Sequence, residues 1–180
     1  AGIFVAHGPA VVVGNTVTYN YGGSIMVYNS DSKIHNNVIA FNSSGFWREN
    51  SSPNVDLKNN LFFSNMAYEW SGLDASPIGA NGNISANPML SWDARGAAHL
   101  QVGSPCYNAG TDEALGTNDT DVDGTTRNQG TAPDIGADES NAATPFQDVI
   151  YVKTAGDDLK SGRSWANAKK TIQAAINAAY

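Results

Sequence analysis

Short stretches with apolar residues at alternate positions recur along the first half of the chain, and asparagines bound most of them. Four such stretches align, at residues 15–20, 37–42, 60–65 and 83–87, and they begin with Asn15, Asn37, Asn60 and Asn83. The spacing is that of a solenoid repeat of about 22–23 residues. One more step of the same length reaches Cys106. Because alternation between turn-forming residues is typical of short strands, the pattern predicts one such strand in each repeat.

A second short strand precedes the first in most repeats, at residues 25–28, 32–35 and 54–58. A repeat of this length with two or three strands and no helix is too short for a βαβ crossover. It can instead wind into a coil in which each turn lies about 4.8 Å from the previous one. The sequence therefore predicts an all-β fold, a parallel β-helix with rungs of about 22–23 residues.

The repeated asparagines have two interpretations. Residues of one type that stack at one rung position can pass side-chain amide hydrogen bonds along the column. Alternatively, each asparagine only supplies a turn conformation. The spacing supports a coil under both interpretations.

Three segments in the second half of the chain carry a resemblance to a known family. They are residues 103–111 (Gly-Ser-Pro-Cys-Tyr-Asn-Ala-Gly-Thr), 121–127 (Asp-Val-Asp-Gly-Thr-Thr-Arg) and 133–139 (Pro-Asp-Ile-Gly-Ala-Asp-Glu). The chain resembles the right-handed parallel β-helix proteins, which include the pectate-lyase-like group, and above all the bacterial exported ones. The resemblance implies a right-handed coil over residues 1 to about 110, a closing segment to about 140, and an extracellular or cell-surface location.

Residues 148–180 follow a different pattern. Residues 148–153 are typical of a strand, and Trp165 to Ala179 carries apolar residues at the spacing of an amphipathic helix. In the same family this order resembles the segment that opens a β-helix and caps its first rung with one short α-helix. The predicted organisation is therefore rungs and closing segment at 1–140, a linker at 141–147, and an opening strand with a capping helix at 148–180.

An opening segment placed after a closing one suggests that it serves another unit. An uncapped end of a coil is an exposed edge that invites pairing. We therefore expect copies of the chain to meet head to tail in a filament or tandem array. The alternative is that the chain is a fragment of a longer tandem protein. The apolar residues predicted to cover the next unit are Ile150, Trp165, Ile172 and Ile176.

Composition and charge narrow the function. Eighteen glycines and 15% charged residues suit many tight turns. A net charge of −7 offers no positive field to a phosphate backbone, so nucleic acid is not an expected partner. No apolar stretch approaches the length of a spanning helix, so no membrane insertion is expected. Cys106 is the only cysteine and is predicted to be a buried structural thiol.

Calcium is the candidate cofactor, because Asp119, Asp121 and Asp123, with Gly124, match the first half of a calcium-binding loop. The match fails at position 12, where Gly130 replaces the bidentate glutamate. Two interpretations stay open. The loop binds calcium weakly, with a carbonyl, water or a carboxylate of the closing segment completing the site, or it is a turn in which Asp123 or Asp134 pairs with an arginine, Arg127.

The family resemblance also implies an enzyme to be tested, a polysaccharide lyase with a carboxylate cluster that holds calcium beside a basic Lys or Arg. Residues one rung apart should stack, which places Lys33 over Asp56, Asp31 over Asn54, and His35 between Val13 and Lys58. No two acids share a column among these rungs. The sequence therefore predicts no catalytic residue, and it predicts a surface ion pair between Lys33 and Asp56.

The alternative function is binding of, or action on, an extracellular polysaccharide. Trp47, Arg48, Tyr68 and Trp70 are the candidate glycan-binding residues, although such aromatics equally often pack against a coil. The three histidines lie on different rungs without metal-ligand spacing, so the sequence gives no support for zinc. The favoured hypothesis is an extracellular structural module.

Overall fold

The computed structural model describes residues 1–49, 54–93, 95–140, 150–162 and 164–178. Three strands form the first rung: β1 (Ile3–Ala6), β2 (Val11–Val13) and β3 (Thr16–Thr18). The second rung contains β4 (Ile25–Tyr28), β5 (Lys33–His35) and β6 (Val38–Ala40), and the third β7 (Phe46–Arg48), β8 (Asp56–Lys58) and β9 (Leu61–Phe63). A fourth rung begins with β10 (Trp70–Ser71).

Equivalent strands of successive rungs pair in parallel and build three sheets along the coil. The strand orders are β1-β4-β7-β10, β2-β5-β8 and β3-β6-β9. In the second sheet Val12 pairs with Ile34 and Ile34 with Leu57, so each step across the sheet equals one repeat of the sequence. The predicted all-β parallel coil and its rung length are therefore confirmed.

Alternate residues of each strand point into the coil and form an apolar core. Ile25, Val27, Ile34, Ile39 and Phe62 of this core are completely buried. Each such side chain contributes about 1.5–3 kcal/mol by leaving water. The second-rung and third-rung strands thus owe their position to the alternation seen in the sequence.

The asparagines form ladders, while their preceding neighbours supply the turn. Asn37 donates its backbone N–H and its side-chain amide to Oδ1 of Asn60, at 3.0 Å each, and accepts the same pair of bonds from Asn15. The positive φ angles belong instead to the residues just before the ladder, such as Asn36 (54°) and Asn59 (49°). The two interpretations of the repeat therefore hold for different residues.

Regular winding ends earlier than the resemblance implied. The last parallel pairing described between successive rungs is the bridge between Leu61 and Ile84. An antiparallel hairpin follows, made of β11 (Leu90–Trp92) and β12 (Ala98–Leu100). Cys106 is completely buried in a second apolar cluster, which also contains Leu61 and Ile135. Burial raises the pKa of its thiol to about 12. The prediction of a buried structural thiol is confirmed.

The closing segment, residues 104–140, lies along the side of the coil and contacts several rungs. Gly136 donates its N–H to the carbonyl of Asn36 in the second rung, and Arg127 donates to the carbonyl of Gly14 in the first. The acidic side chain closest to Arg127 is Glu139, at 4.0 Å, rather than Asp123 or Asp134. Pairing of Arg127 with Asp123 or Asp134 was therefore a wrong expectation.

Residues 150–178 form a small unit with its own hydrogen bonds. Of the predicted strand, the described part contains one parallel bridge, from Val152 to Lys169. The predicted helix from Trp165 is divided into a 3-10 turn, Trp165–Asn167, and α1, Ile172–Ala178. The helix begins late because Ser164 caps the turn and Asp158 accepts the backbone N–H groups of residues 170 and 171. Residue 179 and the predicted linker, 141–147, lie outside the described residues.

Candidate functional site

The first-rung strands form one edge of each sheet in the part of the chain that the structure describes. Within the described residues β1, β2 and β3 each pair with one strand only, in the second rung. The inward side chains Val12 and Val17 are each 7% exposed, whereas their second-rung equivalents Ile34 and Ile39 are completely buried. The apolar core is therefore less well covered at this edge than one rung further along.

Two asparagine ladders begin at the same edge, with Asn15 and Asn20. Asn37 and Asn42 each accept two hydrogen bonds at Oδ1 from the preceding rung. Oδ1 of Asn15 and Oδ1 of Asn20 accept none of the hydrogen bonds described for residues 1–49, 54–93, 95–140, 150–162 and 164–178. A further rung on this edge would supply the donors that continue the two ladders.

The cap unit, which we define as residues 150–178, carries an exposed apolar surface. Every hydrogen bond described for this unit joins two of its own residues. Three of the four predicted cap residues are exposed: Trp165 by 63%, Ile172 by 72% and Ile176 by 46%. The fourth, Ile150, is partly buried within the unit beside Gly162. Ile172 and Ile176 lie four positions apart on α1 and therefore on one face of the helix, and adjacent exposed apolar side chains mark a surface that can meet a partner.

The four predicted glycan-binding residues do not share one face. Trp47 pairs with Met26, which is on the outside of the coil. Arg48 and Trp70 occupy inward columns, beside the buried Val27 and Phe46 respectively, and Trp70 packs against the core. Tyr68 is half-buried, and its backbone carbonyl accepts the N–H of residue 45.

The three aspartates of the predicted calcium loop have separate partners. Asp119 accepts the N–H of Gly116, and Asp121 accepts the N–H groups of Asp123 and Thr125. The side chain of Asp123 turns away from the loop toward Arg95, at 3.0 Å. The described geometry does not gather the three carboxylates around one point, so calcium binding stays a prediction.

A different cluster forms around His99, on β12. Its Nδ1 lies 3.2 Å from Oδ1 of Asp138 and 3.5 Å from Oδ2 of Asp123, and its Nε2 lies 3.8 Å from Oδ2 of Asp93. Burial raises the pKa of Asp138 against the hydrogen bonds from Leu100 and His99. Burial also acts to raise the pKa of Asp93, but hydrogen bonds from Arg95 and from backbone N–H groups lower it to about 2.

A second mixed cluster lies on the outer side of β5 and β8. The predicted stacking of Lys33 on Asp56 and of His35 on Lys58 is confirmed. The predicted ion pair between Lys33 and Asp56 is wrong, because none is found among the described residues. Oδ2 of Asp56 instead lies 2.9 Å from Nε2 of His35 and 3.6 Å from Nζ of Lys58, and Lys58 lies 2.5 Å from Glu113.

The comparisons with known proteins agree with this geometry. Residues 1–84 match the model of the right handed beta helix region. This part of the chain is a right-handed parallel β-helix. No curated protein and no solved structure matches the chain. Among the described residues, no helix has the length and apolar character needed to cross a membrane.

The closing segment of the β-helix contains a buried acid whose titration can be tested. Burial raises the pKa of Asp134 to about 6, against hydrogen bonds from the N–H groups of Asn108 and Ser140. Because the folded state then binds more protons than the unfolded state between about pH 4 and pH 6, stability falls as the pH rises through this window.

We therefore expect the protein to be more stable at pH 5 than at pH 7, with part of the difference due to Asp134. Urea unfolding of the wild type and of Asp134→Asn at both pH values measures this part. The variant should be less stable overall, because its amide cannot accept at both positions, but it should show a smaller change with pH. An equal change in both proteins would contradict the assignment.

Proposed function

We propose that the chain is an extracellular structural β-helix module whose units stack head to tail. The cap unit of one copy covers the open first-rung edge of the next copy. One observation carries the proposal: exposed Trp165, Ile172 and Ile176 lie on a unit whose described hydrogen bonds are internal, and the described strands of the first rung pair on one side only. The resemblance to exported β-helix proteins supports the location.

The two surfaces are complementary, because the first-rung edge has strands paired on one described side and the cap unit has exposed apolar side chains. Unpaired strand edges are templates for pairing with another chain, and natural proteins cover them. A covering unit would remove the residual exposure of Val12 and Val17 and would bury its own apolar residues, at about 25 cal/mol for each Å² of apolar surface. A coil continued in this way transmits load through its backbone ladders, as a stiff fibre or stalk requires.

Sedimentation velocity over a range of protein concentrations tests the proposal. We expect the wild type to form species heavier than the 18.9 kDa monomer as concentration rises. The double variant Ile172→Asp, Ile176→Asp should remain monomeric, because a charge would be buried at each contact. Met66→Asp is the matched control, since Met66 is an exposed apolar residue of the third rung, and it should assemble like the wild type.

Mixing distinguishes head-to-tail stacking from other association. The double variant keeps an intact first-rung edge, so it should accept a wild-type cap unit and then offer none of its own. Adding it to the wild type should therefore shorten the assemblies in proportion to its share. A wild type that is monomeric at every concentration, or a double variant that assembles normally, would exclude the proposal.

Glycan binding is the second candidate function, and a different surface favours it. Tyr19 stacks on Phe41 with ring centroids 5.5 Å apart and planes 14° apart, and Trp92 of the hairpin lies 5.8 Å from Tyr19. Tyr19 and Trp92 are exposed, and flat exposed aromatics can stack on sugar rings. Retardation in gels that contain polygalacturonate or alginate tests binding, and absorbance of an unsaturated product tests lyase activity.

A further inference from the structure

We propose that His99, Asp123 and Asp138 bind one divalent transition-metal ion of the zinc class. The ligand atoms would be Nδ1 of His99, Oδ2 of Asp123 and Oδ1 of Asp138. These atoms come from strand β12 and from two parts of the closing segment, the loop after residue 119 and the end of the segment. A metal at this point would join the hairpin to the closing segment.

The three ligand atoms lie within 4.8 Å of one another, and the two distances from Nδ1 of His99 fit a tetrahedral site. Zinc bonds of about 2.0–2.2 Å at tetrahedral angles place ligand atoms roughly 3.3–3.6 Å from each other. Nδ1 of His99 lies 3.2 Å from the oxygen of Asp138 and 3.5 Å from the oxygen of Asp123. Only a small shift would therefore be needed to admit an ion between them, with water as the fourth ligand.

The second carboxylate oxygens of Asp123 and Asp138 are already held by other groups. Oδ2 of Asp138 accepts the N–H of Leu100 at 2.9 Å, and Oδ1 of Asp123 accepts a bond from Arg95 at 3.0 Å. On the far side of the ring, Oδ2 of Asp93 faces Nε2 of His99 at 3.8 Å. This separation is too long for a hydrogen bond, but Asp93 lies on the side of the ring where a carboxylate commonly orients a metal-binding histidine.

Charge and access favour a cation. Three carboxylates, Asp93, Asp123 and Asp138, surround the imidazole, and Arg95 is the guanidinium paired with two of them. The side chains of His99 and Asp138 are 2% and 6% exposed, whereas that of Asp123 is 38% exposed. An ion can therefore enter past Asp123 and reach ligands that are shielded from water. One nitrogen and two carboxylate oxygens suit zinc better than calcium, which prefers oxygen alone.

The cluster at His35 lacks this room. Its two carboxylates, on Asp56 and Glu113, already share a cation, because the ammonium of Lys58 lies 3.6 Å and 2.5 Å from them. A metal there would have to displace Lys58. At His99, Arg95 pairs with Oδ1 of Asp123, whereas Oδ2 faces Nδ1 of His99. Arg95 and a bound metal ion would therefore use different oxygens of Asp123.

Isothermal titration of chelator-treated full-length protein with Zn²⁺ tests the proposal. We expect one ion per chain, and a melting temperature about 5–10 °C higher at 100 times the dissociation constant. Asp123→Asn should weaken binding more than about 100-fold, since even the groups that orient ligands contribute 10- to 100-fold. Asp119→Asn is the matched control from the same loop and should bind like the wild type.

Two further measurements keep the result decisive. Visible absorption of the Co²⁺ form should show the intense bands of a tetrahedral ion, a signature that an ion pair without metal cannot give. Glu113→Gln should leave Zn²⁺ binding unchanged, and this result would exclude the cluster at His35 as the metal site. The proposal is overturned if Zn²⁺ gives no heat, if Asp123→Asn binds like the wild type, or if Asp119→Asn abolishes binding.

Discussion

Asn60→Ala is expected to lower the free energy of unfolding by about 3–5 kcal/mol, although it removes only one small polar side chain. Asn60 is completely buried in the third rung. Its Oδ1 accepts two hydrogen bonds from Asn37, and its amide donates to the carbonyl of Ile34 and to Oδ1 of Asn83. Alanine would leave several of these buried groups without a partner, and each such group costs about 1–3 kcal/mol.

The same substitution at the open end of the ladder provides the control. Asn15 is only half-buried, its amide donates to Val13 and Asn37, and its Oδ1 accepts none of the described bonds. Asn15→Ala should therefore cost about 1 kcal/mol. Equilibrium unfolding in urea measures both variants. Equal losses would show that the additional ladder bonds of Asn60 contribute little to stability.

The periodicity of the sequence was enough to predict the coil because stacking is a local rule. A step of one repeat puts Val13, His35 and Lys58 in one column, and the strands pair in this register. Backbone register does not determine side-chain partners, however. His35 reaches diagonally to Asp56, so the acid that was assigned to Lys33 bonds to a neighbouring column. Long side chains of adjacent columns compete, and spacing alone cannot decide between them.

The cluster at His99 could not be predicted from spacing. Asp93, His99, Asp123 and Asp138 lie within reach of each other because the closing segment folds back along the coil, and that path follows no repeat. The sequence signal in this region is the spacing of Asp119, Asp121 and Asp123 before Gly124, which predicts a calcium loop. The spacing between histidines carries no signal for this cluster, because the groups around His99 are carboxylates of distant segments.

In the cap unit, the spacing of apolar residues predicts the helix but not where it begins. Helical spacing of apolar residues from Trp165 onward identified the exposed surface, and Ile172 and Ile176 do lie on the helix. The helix begins only at Ile172, because the carboxylate of Asp158 accepts the hydroxyl and the N–H of Thr171. The periodicity of apolar residues cannot predict this cap, because Asp158 lies 13 residues before Thr171.

Arg127→Met is expected to destabilise the protein by about 3–5 kcal/mol and to loosen the closing segment first. The guanidinium is buried and donates to the carbonyls of Gly136, Gly14 and Ala137, at 2.8, 3.2 and 3.0 Å. It also lies 4.0 Å from the buried carboxylate of Glu139. Removing one member of a buried ion pair leaves an uncompensated charge, which accounts for a cost of this size.

Two variants separate the charge of Arg127 from its geometry. Arg127→Lys keeps the charge but cannot spread donors over three carbonyls, so it should lose about half as much stability. In a Glu139→Gln background, Arg127→Met should cost less, because no buried charge is left alone. Urea unfolding gives the free energies, and hydrogen exchange should show faster exchange in residues 104–140 than in the rungs. Equal exchange in both regions would mean that Arg127 does not hold the closing segment to the coil.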